Sequence, residues 1–278
     1  MKQHSYDNSP TLYLVPTPIG NMEDITIRAL NILKEVDVIF AEDTRVTKQL
    51  LNNFNINKKL ISSHLYNEEN NEQKEINYLK EGKNIAVVSD RGTPVISDPG
   101  YVLAKTAIEE GFNVVCLPGP TAVIPAIVMS GLAGGPFTFY GFLNSKESKR
   151  EKELETLKNQ TFPIAFYEAP HRIEKTIKSI IKVFGNRKAS IVREISKKFE
   201  EVIRGDLEYL LKEVPNIKGE LVLVVDGNHE INNFENLPIK KHVELYIDDG
   251  LTPNEAIKKV AKERNIPKSN VYNEYHGL

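Results

Sequence analysis

The sequence predicts an α/β fold: two α/β domains followed by a small helical module of helix-turn-helix outline. Short β-branched runs alternate with helical patterns of about 10–15 residues, the signature of βαβ units and a largely parallel sheet. The pattern changes after Pro118-Gly119-Pro120, where a second α/β unit starts. A polar, Asn-rich stretch from Asn228 to Pro238 then reads as a linker to a last segment that is purely helical. The expected domains are therefore residues 12–118, 119–228 and 238–278. The length of 278 residues agrees with about two domains and a sizeable core.

In chain order, Leu12 to Val15 is a strand, and Ile25 to Lys34 is a helix with apolar positions at Ile25, Ala29, Leu30 and Leu33. Val36 to Ala41 is the next strand and Thr44 to Phe54 the next helix. Leu60-Ile61-Ser62 is a short strand, and Glu68 to Glu81 is a polar helix closed by Gly82. Ile85 to Val88 is a strand, Tyr101 to Glu110 a helix ended by Gly111, and Asn113 to Leu117 a strand. In the second unit, Thr121 to Ser130, Lys146 to Lys158, Ile173 to Phe184 and Leu207 to Val214 are helices. Its strands are Phe137 to Phe142, Ile164 to Tyr167, Ser190 to Arg193 and Leu221 to Val225. The module begins with Lys240 to Ile247. Thr252-Pro253-Asn254-Glu255 then has the form of a capping box with proline at the first helical position. A third segment runs from Asn270 to Tyr275. Helix, turn, helix within about 40 residues suits a helix-turn-helix, and equally a helical cap on the body.

Composition narrows the function classes. One cysteine, Cys116, rules out an intrachain disulfide framework and an all-cysteine zinc site. The first ten residues are polar and read as a frayed leader. Every apolar run falls far short of the roughly 20 residues that span a bilayer. A cytoplasmic protein with no membrane partner is expected. The 36 basic and 38 acidic residues give a net charge of −2, which speaks against indiscriminate polyanion binding. The charge is uneven, however. From His171 to Arg204 ten Lys and Arg stand against four Glu, a net +6 that leaves −8 elsewhere. Such a stretch suits phosphate contacts, although Lys175, Lys178 and Lys182 also fit a solvated helix face.

Three loops directly follow strands, where ligands of open α/β sheets sit. The first is Pro16-Thr17-Pro18-Ile19-Gly20-Asn21, in which two prolines fix φ and Gly20 admits close backbone approach. The second, Ser89 to Gly100, holds Asp90, Gly92, Thr93, Val95 and Asp98 among paired glycines and prolines, a rigid polar wall. Within it Asp98 reads as a turn former or helix cap. The third is Pro118-Gly119-Pro120-Thr121-Ala122, whose small residues open a helix. No GxGxxG loop, Walker lysine, GxSxG, HExxH or cysteine pair occurs, so metal and serine hydrolysis lack motif support and no metal site is expected.

PTPIGN, AEDTR (Ala41 to Arg45), SDRGTPVISDPGY (Ser89 to Tyr101), PGPTA (Pro118 to Ala122), EAPHR (Glu168 to Arg172) and REISKKFEE (Arg193 to Glu201) follow one another in a fixed order. Together they resemble the ribosomal RNA small-subunit (16S) cytidine 2′-O-methyltransferases of the tetrapyrrole methylase superfamily. The resemblance covers residues 12 to 228, and the terminal module is also similar. Arg91 departs from the pattern, where alanine is expected. The resemblance implies S-adenosyl-L-methionine as cofactor, in a cleft between the two α/β domains. It implies a homodimer and a cytidine in the decoding region of 16S ribosomal RNA, free or in the small subunit, as substrate.

By matching motif positions, Pro16, Gly20, Asp90, Gly92, Thr93, Val95, Thr121, Ala122, Tyr167, Glu194 and Glu220 are the implied cofactor-binding residues. The implied reaction is in-line displacement by a ribose 2′-hydroxyl, which needs alignment and loss of a proton. Glu42, Arg45, His171 and Lys197 are the catalytic candidates, with Glu42 or His171 assisting deprotonation. AEDTR equally reads as a helix N-terminus with its acids on the macrodipole and Arg45 paired to them. A small-molecule methyltransferase of the same fold, acting on a tetrapyrrole-like substrate, is the alternative. A non-enzymatic nucleic-acid binder is a third class, disfavoured by three built strand-end loops.

Overall fold

A computed structural model describes residues 2–5, 7–62, 68–98, 100–229 and 237–277. Two five-stranded sheets and a three-helix module organise it.

The first sheet contains β1 (Thr11–Leu14), β2 (Val38–Ala41), β3 (Leu60–Ser62), β4 (Ile85–Val88) and β5 (Asn113–Cys116) in the order β3-β2-β4-β1-β5. All its pairings are parallel. β1, β2 and β4 are buried along their whole length because both faces are covered. Leu12, Leu14, Val38, Phe40, Ile85 and Val87 enter one cluster with α3 (Glu68–Lys80) and α4 (Tyr101–Glu109). Tyr13, Ile39, Ala41, Ala86 and Val88 point the other way, onto α1 (Ile27–Glu35) and α2 (Thr44–Asn53). β1 and β4 are neighbours whose following helices lie on opposite faces. Their carboxyl ends therefore open a crevice for a ligand.

The second sheet contains β6 (Thr138–Phe142), β7 (Ile164–Glu168), β8 (Lys188–Arg193), β9 (Glu201–Asp206) and β10 (Leu221–Val225) in the order β6-β7-β10-β8-β9. Only β6 and β7 run parallel, so a largely parallel arrangement holds for the first sheet alone. β9 is absent from the sequence-based expectation. It is an edge strand whose EVIRGD sequence is half-exposed and charged, so it lacks a hydrophobic run. α6 (Glu147–Leu157), α7 (Ile173–Phe184) and α8 (Leu207–Glu213) cover one face of this sheet. α5 (Val123–Ser130) covers the other, where Ile19 of the first loop joins the same apolar cluster and ties the two sheets together.

The module comprises α9 (Ile239–Asp248), α10 (Pro253–Glu263) and α11 (Lys268–His276) around Val243, Ile257, Val260 and Val271. The capping box forms as expected, with the Thr252 N–H donating to Glu255 Oε2 at 3.0 Å. Residues 230–236 of the expected linker lie outside the described residues. So do positions 1 and 6 of the expected leader. The rest of that leader is not frayed: the Gln3 side chain pairs with both backbone groups of Val114, and Asn113 donates to the His4 carbonyl. Among the described residues no helix is long and apolar enough to cross a membrane.

Candidate functional site

A cleft of about 250 Å³ lies between the loops at the carboxyl ends of the first sheet and Tyr167, Glu168, Leu221 and Val222 of β7 and β10. Its volume is close to the lower end of the range for small-molecule sites. Ile19, Ile96, Phe142, Ile195, Leu221 and Val222 give it apolar walls. Gly92, Thr93, Thr121, Ala122, Tyr167 and Glu220, all singled out from the sequence, supply its polar and backbone surface.

The loops are locked in place. Thr17 and Gly92 exchange backbone hydrogen bonds of 2.9 and 3.0 Å, stitching the first loop to the second. Ser89 Oγ donates to the Gly92 carbonyl at 3.1 Å, and Thr93 Oγ1 to the Pro120 carbonyl at 3.2 Å. Pro16 is buried behind these loops against Gly119, where a Cβ would collide with the proline ring. Val95 and Ser97 hold φ of 78° and 65°, and across the cleft Glu194 and Ser196 hold 52° and 67°. A β-branched residue at positive φ is strained, and such backbone persists where surrounding structure enforces it.

Asp90 lies outside the lining and accepts the Asp43 N–H at 3.1 Å, which fixes the AEDTR turn to the second loop. Glu194 also lies outside it. Its carboxylate accepts the Glu220 N–H at 3.1 Å and the Lys197 ammonium at 2.9 Å, and the lysine holds it below the usual carboxylate range. Lys197 Nζ also reaches Glu220 Oε2 at 2.7 Å, while its stem covers Gly20. Burial works to lower the Lys197 ammonium, but the two glutamates outweigh it and raise it overall. Arg91, the departure from the motif, pairs with the other oxygen of Glu220.

Asp98 faces the cleft with no hydrogen-bond or ion-pair partner among the described residues. Burial, and then the charges of Glu42 and Asp90, push its carboxyl up to about 6. Position 98 is thus part of the cleft wall and not merely a turn. The helix beyond it has Gly100 as N-cap, and no side chain caps it. Tyr167 is also half-buried; burial pushes its phenol up, against a hydrogen bond with the Thr121 side chain that pulls it down.

Of the catalytic candidates, none is in the cleft lining. Glu42 stands close enough to act on Asp98 by its charge. Arg45 is 89% exposed and paired to Asp43 at 2.6 Å, with Asp43 capping α2. That is the helix-terminus arrangement of AEDTR. His171 is exposed at the start of α7. Its neighbours in EAPHR build the fold: buried Glu168 accepts from Ala169 N–H and the Thr176 hydroxyl and pairs with Arg172, which donates to the Leu143 carbonyl at 2.5 Å. The apolar lining was missed from the sequence. Its signal was present: Ile19 and the Val95-Ile96 pair are apolar residues inside otherwise turn-forming polar loops. In the basic stretch, Arg172, Lys178, Lys182, Arg193 and Lys197 are engaged with carboxylates, while Lys175, Lys188 and Lys198 are directed to solvent.

Residues 11–211 match the family model described as Tetrapyrrole (Corrin/Porphyrin) Methylases. A protein of Bacillus subtilis named Ribosomal RNA small subunit methyltransferase I is 48% identical over 95% of this chain and 94% of its own length. A protein of the same name from Escherichia coli O157:H7 is 45% identical over 82% of each chain. Among solved structures, a uroporphyrin-III C-methyltransferase of Thermus thermophilus complexed with S-adenosylhomocysteine superposes with a TM-score of 0.57 at 18% identity. That match covers 78% of this chain and 97% of the other. A cobalt precorrin-4 methyltransferase gives 0.59 at 18%, over 78% and 94%. The two sheets, the cleft at their junction and these similarities together make the chain a member of the tetrapyrrole methylase family, in its ribosomal RNA small subunit methyltransferase I branch.

Proposed function

We propose that this protein transfers a methyl group from S-adenosyl-L-methionine to the ribose 2′-hydroxyl of a cytidine in the decoding region of 16S ribosomal RNA. The observation that carries the reading is the cleft itself, which assembles the ordered sequence motifs at one sheet junction. A thin, apolar-walled slot with an uncompensated acid fits this cofactor, which is flat at one end and cationic at the other. Ile19, Ile195, Leu221 and Val222 would hold the adenosine. The Gly92–Thr93 backbone, Thr121 and Ala122 would hold the remainder, with Asp98 offsetting positive charge. The bound cofactor supplies an activated methyl group.

The protein's own contribution is positioning and proton removal. Hydrogen bonds between Thr17 and Gly92 and from Thr93 to Pro120 hold the loops that shape the slot. Pro16, Gly20, Asp90, Val95, Glu194 and Lys197 act behind it, holding loop conformation. Glu42 or His171 assists loss of the hydroxyl proton. Residues 12–118 and 119–228 act as the two domains of the cleft, and 238–278 as an RNA-affinity module. A cytoplasmic homodimer is the working form. The basic stretch and the appended module favour RNA over a tetrapyrrole acceptor, which requires neither.

The test is mapping of 2′-O-methylcytidine in 16S ribosomal RNA from cells with and without this protein. In parallel, transfer of labelled methyl groups to purified small subunits and to uroporphyrinogen is measured. Loss of one methylated cytidine, with label only in subunits, is expected. Label in the porphyrinogen alone would overturn the reading. Glu42→Gln and His171→Ala variants, assayed for both turnover and cofactor binding, decide between the two proton acceptors.

A further inference from the structure

A second hollow of about 480 Å³ lies on the other side of Glu194 from the cleft. Phe199, Ile203, Pro215 and Ile217 give it an apolar floor, and Arg193 and Lys218 border it. Phe199 is 67% exposed, a large apolar ring left in solvent on an otherwise charged surface. The Lys198 ammonium stands 5.8 Å from its ring centroid. Arg193 is held by Glu201 at 2.5 Å and by the Lys218 carbonyl at 3.3 Å. The loops around the hollow are fixed in unusual backbone, with Glu194, Ser196 and Asn216 all at positive φ. Gly219 closes the wall because a Cβ there would strike the Glu194 carboxylate. Glu194 of the hollow and Glu220 of the cleft are joined by a backbone-to-carboxylate hydrogen bond of 3.1 Å and share the Lys197 ammonium.

We propose that this hollow is a nucleobase subsite: an unpaired base of the RNA next to the target nucleotide stacks on Phe199. An exposed aromatic ring flanked by cations is the usual platform for single-stranded nucleic acid, since every base offers a π-face and every linkage a phosphate. Lys198, in the stretch that carries +6, and Lys218 beyond it are placed for those phosphates. The carboxylates of Glu201 and Glu213 on the rim accept hydrogen bonds and select for a base that presents an amino group. Glu194 of the hollow accepts the N–H of Glu220 of the cleft at 3.1 Å, so a base here and a ribose at the cleft mouth are neighbours in one strand. The inference rests on the ribosomal RNA reading.

The chain contains no tryptophan, so Phe199→Trp introduces a single fluorophore at the proposed platform. Full-length Phe199→Trp is titrated with a single-stranded, cytidine-containing RNA dodecamer. Full-length wild type, Phe199→Ala and Phe199→Tyr are measured for affinity to purified small ribosomal subunits and to S-adenosylmethionine. Quenched tryptophan emission is expected, with Phe199→Ala about tenfold or more weaker on subunits. Phe199→Tyr stays close to wild type, and cofactor affinity is unchanged throughout. Subunit affinity of Phe199→Ala within twofold of wild type would overturn the subsite. So would a changed oligomeric state with unchanged RNA affinity, which would make Phe199 a contact between copies. Failure of the broader reading looks different: wild type itself then binds neither RNA nor subunits while still binding the cofactor.

Discussion

The Arg91 guanidinium meets the Glu220 carboxylate across the mouth of the cleft, joining the second loop of the first sheet to the start of β10 in the second. Both side chains are more than half exposed, at 54% and 61%. An exposed pair contributes at most about 1 kcal/mol. Arg91→Ala is therefore expected to change the unfolding free energy by less than about 1 kcal/mol. Its effect falls on the mouth: cofactor dissociation becomes faster in stopped-flow measurements, and the difference from wild type shrinks as salt rises. A large loss of stability with unchanged release would contradict this role.

Gly20 and Lys197 are in contact, and a Cβ at position 20 would fall on the lysine stem. Gly20→Ala must therefore turn Lys197 away from Glu194 and Glu220. Each single variant, Gly20→Ala and Lys197→Ala, is expected to weaken cofactor binding severalfold. The double variant is expected to be little worse than Lys197→Ala alone, because the alanine then meets open space. Isothermal titration of the four proteins closes the cycle. Additive losses would show that the two residues act separately.

Asp98 gives a pH signature. Its carboxyl is raised from 3.8 to about 6 in the folded chain, so between those values the folded state binds the proton more tightly than the unfolded one. The associated stability is present below pH 4 and lost as pH rises through 6. Asp98→Asn removes that loss: its melting temperature is expected to exceed wild type at pH 7.5 and to match it near pH 3.5. Cofactor binding should weaken in the same variant, since the acid that costs stability is the one offered to the ligand's positive charge. A variant no more stable than wild type at neutral pH would contradict the account.

His242 is fully buried in the module. Its Nδ1 accepts from Arg264 Nε at 3.0 Å, and its Nε2 lies 3.2 Å from a Glu263 oxygen. Burial, and then the Arg264 charge, lower its pKa from 6.5. Below that value the unfolded module takes up a proton more readily, so stability falls as pH drops. Hydrogen exchange in residues 239–276, corrected for intrinsic rates, should accelerate below about pH 6.5 relative to the two sheets. His242→Gln should be less pH-sensitive; identical profiles would exclude His242 as the cause.

Much of the fold was legible because its strands are short, apolar and bounded by turn residues. β3, β4, α7 and β10 match their expected limits. β9 was hidden because an edge strand needs no apolar run, and its half-exposed charges read as a loop. The antiparallel pairing of the second sheet was hidden as well, since strand direction depends on which neighbours meet and leaves no mark in a single run.

The sequence by itself determined the fold class, the three loops and the capping box of the module's second helix, because these follow from local spacing, proline and glycine placement and hydrophobic period. It also marked Gly92, Thr93, Thr121, Ala122, Tyr167 and Glu220, which tertiary structure gathers into one cleft. Only that gathering decided the rest. Asp98 became an uncompensated cleft acid because folding buries it and brings Glu42, which follows β2, up to a loop that already carries Asp90. Glu168 and Arg172 became a buried brace of α7, and Lys197 became a clasp over Gly20. A side chain's chemistry depends on the charges and burial that distant segments bring to it, and that information exists only once the chain has folded.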